Sequence, residues 1–217
     1  YSITWHQLLQ QTSEWEGTLW GKPDLIDRHR QLGENADNSR KGQSRKLGPP
    51  GSYWEYNDIR VNRLSLSLLQ LFRRPLADVL KERIMVPLGA SNNWSWNAYH
   101  NAMPKIDGVP MPSVPGGSHW GGGLWIGAHD QALLGQLVLQ GGAWDGRQLI
   151  SGDWLNAMCT PCPIKPDYGY LWWLNTGQAR YPAASTKAIA AVGAGGNTIL
   201  IDPAFDLVLV ARWLDGN

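Results

Sequence analysis

The last fifty residues of this chain change period. Tyr168 to Asn175, Lys187 to Val192, Thr198 to Asp202 and Leu207 to Trp213 are β-rich runs divided by Gly, Pro and Asp turns, which predicts consecutive strands. What precedes them reads as helix and loop. Thr4 with Gln7 three residues on forms a capping box, with Ile3 and Leu8 as a hydrophobic staple, and predicts a helix from Trp5 to near Gln11. A further helix is possible around Asp24 to Arg30. Asp58 is expected to cap a helix whose apolar face carries Val61, Leu64, Leu68, Leu71 and Phe72. Pro75 can open the next helix, which Pro87 ends. Gly127 precedes an amphipathic run that Gly141-Gly142 stops, and Ser151 caps a shorter one. Helices first and strands last argue against alternating βαβ units. They predict an α+β chain with helices packed on an antiparallel sheet: residues 1–165 form the mostly helical, loop-rich part, and 166–217 the C-terminal strands of the same domain.

Composition narrows the function. A formal net charge of +1 over 217 residues sets up no long-range field to gather nucleic acid or anionic lipid, so a small, roughly neutral substrate is the expectation. Arg40, Lys41, Arg45 and Lys46 cluster in a stretch from Gly33 to Lys46 whose one apolar residue is Ala36, and are expected to form a solvated loop. The longest apolar runs, such as Leu207 to Ala211, are too short to span a bilayer. The chain opens on Tyr1, as a fragment or processed product would, so the compartment stays open. Cys159 and Cys162 have the spacing of a redox pair, but a short helical pattern precedes them and prolines follow, the wrong context for such a motif. Most of the thirteen tryptophans are expected to pack the core. A minority lining a cleft would suit a rival reading, a non-catalytic aromatic-lined binding protein.

Nucleophile signatures fail individually. Gly116-Gly117-Ser118-His119-Trp120 comes within one residue of a nucleophile elbow, but Trp120 replaces the last glycine and no strand precedes it. Gly193-Ala194-Gly195-Gly196 precedes β-rich residues where a dinucleotide loop needs a helix. The histidines show no i, i+4 metal spacing. Tyr56-Asn57-Asp58 is more informative. The positive end of a following helix and any nearby ammonium favour a phenolate, which would make Tyr56 a usable general base.

The order of motifs says more than any one of them. Pro49-Pro50-Gly51 with Tyr56-Asn57-Asp58, then Pro87-Leu88-Gly89, then Gly122-Gly123-Leu124 through Asp130 to Ser151-x-x-Trp154, then Gly193 to Asn197 with Asp202-Pro203 together resemble the serine β-lactamase-like hydrolases. That group includes class C β-lactamases, penicillin-binding-protein-like esterases and 6-aminohexanoate-dimer hydrolases. The resemblance implies a β-lactamase/transpeptidase-like fold, incomplete at both ends, that cleaves a small-molecule ester or amide through an acyl-enzyme without metal or organic cofactor. By resemblance, Tyr56 is the base, Asp58 takes the place of an asparagine, and Ala191-Val192-Gly193 takes the strand box that borders substrate. The N–H of Ala194 is then an oxyanion donor, and His119 and Trp120 are cleft walls. Two departures matter for specificity. Asp58 adds a charge that raises the pKa of Tyr56 unless a lysine offsets it, and Ala191 removes the cation that commonly grips a substrate carboxylate. The family's Ser-x-x-Lys is the largest departure, since no lysine of this chain has a serine three residues before it. The expectation is a fragment whose missing N-terminal segment carries the nucleophile, inactive alone.

Overall fold

Thr4 starts the first helix as its spacing requires: its hydroxyl accepts the Gln7 N–H at 3.3 Å, and Gln7 Oε1 accepts the Thr4 N–H at 2.9 Å. The structure, a computed structural model, describes residues 2–33, 35–117 and 122–213. Helix α1 (Trp5–Leu9) leads to strands β1 (Thr18–Leu19) and β2 (Lys22–Pro23) and a 3-10 turn at Asp24–Asp27. Helices α2 (Asp58–Phe72) and α3 (Leu76–Leu80) follow, the latter continued by a π turn at Lys81–Met85. Next come β3 (Ser95–Asn97), β4 (Lys105–Ile106), β5 (Val109–Pro110), β6 (Gly123–Trp125) and α4 (Ala128–Leu139). Beyond them lie β7 (Ala143–Trp144), β8 (Arg147–Gln148), α5 (Gly152–Met158), β9 (Trp173–Leu174), β10 (Ile189–Gly193), β11 (Asn197–Asp202) and β12 (Leu207–Ala211).

These elements divide into two units, Tyr1–Val79 with Trp96–Leu124, and Leu80–Ser95 with Trp125–Asn217. In the first, α2 packs on α1, β1 and the 3-10 turn. It is buried on two sides, with Ile59, Leu66 and Leu69 on one and Val61 and Leu64 on the other. The helix stops at Arg73, whose left-handed φ of 54° lets its N–H reach back to the Leu69 carbonyl at 2.8 Å.

The second unit is built on an antiparallel sheet in the order β12-β11-β10-β9. The predicted β11–β12 hairpin forms, with Asp202 opposite Leu207. Leu155, Met158, Leu174, Ile189 and Ile201 make the core beneath it, each such side chain contributing about 1.5–3 kcal/mol when fully buried. Gly135 lets α4 lie close on the sheet, since a Cβ there would stand 2.6 Å from Val208 Cγ1. Two buried carboxylates bracket loops. Asp130 accepts from the Ser91 N–H and hydroxyl at 2.9 and 2.6 Å, and Asp202 does the same for Ser185 at 2.7 and 2.6 Å. The Asn175 amide shapes the connection into β10, donating to the carbonyls of Tyr181 and Ser185 at 2.9 and 3.0 Å and accepting the Tyr181 N–H at 3.2 Å.

Several expectations change. The strand predicted over Tyr168 to Asn175 shrinks to β9, because Leu171 takes a φ of 61° and the Tyr170 N–H goes to the Met158 carbonyl. Tryptophans are mostly rim residues. Of those described, only Trp173 is buried, while Trp5, Trp125, Trp154 and Trp213 are exposed; a large indole covers core with one edge and leaves the other wet. The basic stretch is not simply a solvated loop either. Arg45 pairs with the buried Glu14 and Glu55 at 2.8 and 3.1 Å. Cys159 and Cys162 are both free thiols. Cys159 ends α5, at its negative pole, and partial burial of its sulfur pushes the thiol up, the reverse of what a reactive cysteine needs.

Candidate active site

Asn57, and not Asp58, caps α2. Both residue types cap well, and the neighbours decide between them. Asn57 Oδ1 accepts the N–H groups of Ile59 and Arg60 at 3.1 and 3.3 Å. Its Nδ2 donates to the Asp24 carbonyl at 2.9 Å, and its N–H to Gln11 Oε1 at 3.1 Å. One fully buried amide thus ties the helix start to the 3-10 turn and to the end of α1. Asp58 becomes the first helical residue, where a carboxylate also suits the helix dipole.

This tie sets Tyr56 just ahead of the helix N-terminus, half-buried, with its ring tilted against Trp54. Arg30 completes the group. Its Nη1 donates to Asp58 Oδ2 at 3.0 Å, and its Cζ lies 5.1 Å from the centre of the Tyr56 ring. The Asp58 N–H donates to Asp27 Oδ2 at 3.1 Å. Tyr99 is a second tyrosine in this neighbourhood, buried, with Lys22 4.4 Å over its ring. Burial raises its phenol above the ordinary range, Asp58 and Asp27 raise it further, and the Asn62 amide opposes them. Gly116 and Gly117 run against the same helix start. The Gly116 N–H donates to Asn62 Oδ1 at 3.0 Å, and a Cβ on Gly117 would stand 2.7 Å from Asp58 Oδ2.

A buried ion network lies next to this group. Arg60 is fully buried; its Nε donates to the Trp15 carbonyl at 3.1 Å and its Nη2 stands 3.3 Å from Glu55 and 3.6 Å from Asp24. Burial holds its guanidinium below the usual value in spite of Glu55, Glu14 and Asp24. Arg28 joins Asp24 and Glu16, and Arg45 joins Glu14 and Glu55. Sequence reasoning missed this network and Arg30 with it, since Arg45 and Glu14 lie 31 residues apart and Arg30 and Asp58 28 apart and leave no local pattern.

The other proposed site residues belong to the second unit. Ala191, Val192 and Gly193 form the far half of β10, and Ala194 begins the turn, its carbonyl accepting from Asn197 Nδ2 at 2.6 Å. The Ala188 carbonyl accepts the Asn175 N–H, so Ala188, Ala190 and Val192 direct their backbone groups toward β9. Strand β9 pairs with Ile189 and Ala190 alone. The Val192 edge therefore extends past β9 within this sheet. His119 and Trp120 lie outside the described residues. Among the described residues no cluster of His, Cys, Asp or Glu is placed to hold a metal ion, and no helix is long and apolar enough to cross a membrane.

The fold has counterparts among solved structures. A β-lactamase from Mycobacterium bovis matches 99% of this chain over 67% of its own, with a TM-score of 0.62 and 19% identity. A penicillin-binding protein from Bacillus halodurans matches 99% over 69%, with a TM-score of 0.60 and 17% identity. The chain carries the β-lactamase/transpeptidase fold. No protein-family profile matches this β-lactamase-like chain. A protein of Escherichia coli O157:H7 with the provisional name D-alanyl-D-alanine carboxypeptidase is 23% identical over 194 residues. That match takes in 74% of this chain and 45% of the longer protein, so the β-lactamase-like chain spans less than half of its curated relative.

Proposed function

We propose that this chain is the C-terminal portion of a serine hydrolase that cleaves a small ester or amide through an acyl-enzyme, with Tyr56 as general base. The observation that carries the reading is the position of Tyr56 on a β-lactamase fold: a half-exposed phenol ahead of a capped helix start, beside a guanidinium. The serine comes from a segment outside this chain, and without it the chain does not turn over.

In this mechanism the Tyr56 phenolate takes the serine proton as Oγ bonds to the carbonyl carbon. The serine's own N–H is one donor to the oxyanion. Collapse expels the alcohol or amine, which leaves with the proton from Tyr56. Water then attacks the acyl-enzyme, again giving its proton to Tyr56, and the acid departs with the serine restored. The Val192 edge of β10 offers backbone groups to an extended acyl chain. Ala191 in place of a cation favours neutral acyl groups over carboxylate-bearing β-lactams or D-Ala-D-Ala peptides.

The test uses the full-length polypeptide that contains these residues and a p-nitrophenyl ester. Tyr56→Phe lowers kcat by about 10²–10⁴ fold, the range for losing a general base. Unchanged turnover in that variant removes the assignment. A full-length protein that binds acyl ligands and never hydrolyses them is instead a binding protein on this scaffold.

A further inference from the structure

Asp58 places a negative charge next to the phenol proposed as base, and such a charge opposes phenolate formation. The structure supplies the opposite charge from a distant part of the chain. Arg30 Nη1 is 3.0 Å from Asp58 Oδ2 and 3.5 Å from Asp27 Oδ1, and Arg30 Cζ is 5.1 Å from the Tyr56 ring centre. Only 18% of the Arg30 side chain is exposed, so water and salt screen these contacts less than on open surface.

We propose that Arg30 is a positioning residue of this site: it neutralises Asp58 and keeps a fixed positive charge against the Tyr56 ring, so that the site stabilises the phenolate. The inference rests on the reading of Tyr56 as base and adds the residue that makes a base possible beside a carboxylate. By the resemblance, the lysine of the Ser-x-x-Lys belongs with the serine outside this chain; Arg30 is a further cation, within the chain, that no motif announces.

Among the described residues, further charged and titratable groups stand around Arg30, Asp58 and Tyr56. Asp27 comes from the 3-10 turn, and Lys41 reaches it at 3.5 Å from the following loop. Tyr99, under Lys22, feels both Asp58 and Asp27. Arg30 and Lys41 thus face Asp27 and Asp58, two cations against two carboxylates. Burial pulls the Arg30 guanidinium down, but Asp58 foremost, then Asp27 and Tyr56, outweigh it and leave it above its ordinary value. The attraction between Arg30 and Tyr56 is mutual.

The test is an NMR titration of protein labelled at the tyrosine Cζ, with the Tyr56 resonance assigned by its loss in Tyr56→Phe. In Arg30→Gln the Tyr56 midpoint moves up by about one pH unit or more, as expected for removing an adjacent cation. Arg30→Lys keeps most of the original midpoint. The double variant Arg30→Gln/Asp58→Asn recovers part of the shift by restoring neutrality, which a merely structural arginine would not allow. Coincident midpoints in wild type and Arg30→Gln overturn the proposal. If Arg30→Gln does not fold, Asp58→Asn alone reads the same coupling with opposite sign, and a Tyr56 midpoint that fails to drop overturns it. The titration needs no turnover, so a Tyr56→Phe variant with full activity sinks the base assignment while leaving this electrostatic result to stand or fall by itself.

Discussion

Around Asn57 the first unit buries charge, whereas between α5 and the sheet the second buries hydrocarbon. Arg60, Glu55, Glu14 and Asp24 meet in the first with almost no water, while Leu155, Met158, Leu174, Ile189 and Ile201 meet in the second. The two solutions carry different information. Apolar packing asks for volume and pattern and tolerates exchange of similar shapes. A buried ion network asks for particular partners at particular distances, and deleting one leaves the rest uncompensated. The charged unit holds Tyr56, the proposed base, and a group in that role needs surroundings fixed to within a fraction of an ångström. Carboxylates in the second unit act locally, as brackets for Ser91 and Ser185.

The sharpest way to break this contrast is to remove one member of each core. Arg60→Ala is expected to cost about 3–5 kcal/mol, because three carboxylates lose a cation that has no access to solvent. Ile201→Ala, fully buried in the sheet core, is expected to cost about 2–4 kcal/mol. Urea unfolding followed by circular dichroism ranks the two; an Arg60 variant as stable as wild type would mean that the network contributes nothing net.

What could be read beforehand follows the range of the signal. The Thr4–Gln7 box, the Ser151 cap, the span of α2 and the β11–β12 hairpin were legible because each is fixed by residues within a few positions of one another. The proposal of Tyr56 as base rests on a signal of the same short range, a local Tyr-x-Asn-like pattern. Asn57 as cap was not legible, since the decision belongs to Gln11 and Asp24. Nor was the end of the predicted strand at Trp173, which depends on Met158 accepting from Tyr170. The polar stretch before Pro49 looked like surface because composition cannot tell a solvated arginine from one paired to a distant buried glutamate. His119 and Trp120 fall outside the described residues.

A smaller effect separates the brackets from the network by pH. Burial pushes the Asp202 carboxyl up, but the Ser185 hydroxyl and N–H and the Ala204 N–H outweigh it and hold it below the usual range. Asp130 follows the same pattern, with Ser91 and His129 opposing its burial. A carboxyl depressed on folding stabilises above its unfolded pKa of about 4, and that stability is lost as pH falls through the folded value. Ser185→Ala is therefore expected to cost about 1–2 kcal/mol at pH 7, a cost that shrinks below about pH 4. The same cost at pH 7 and pH 3 would show that the Asp202 charge plays no part.

Asn175 has a consequence for how this scaffold can change. A single amide just past β9 ties the path of the connection from Thr176 to Lys187 through the carbonyls of Tyr181 and Ser185, so the loop takes much of its contour from a residue outside itself. Gln178 and Arg180 reinforce that contour, the first by donating to the Ala184 carbonyl at 2.8 Å and the second by stacking 4.2 Å over the Trp173 ring, so the exposed Ala183 is the position where the connection can be recoded without being redrawn.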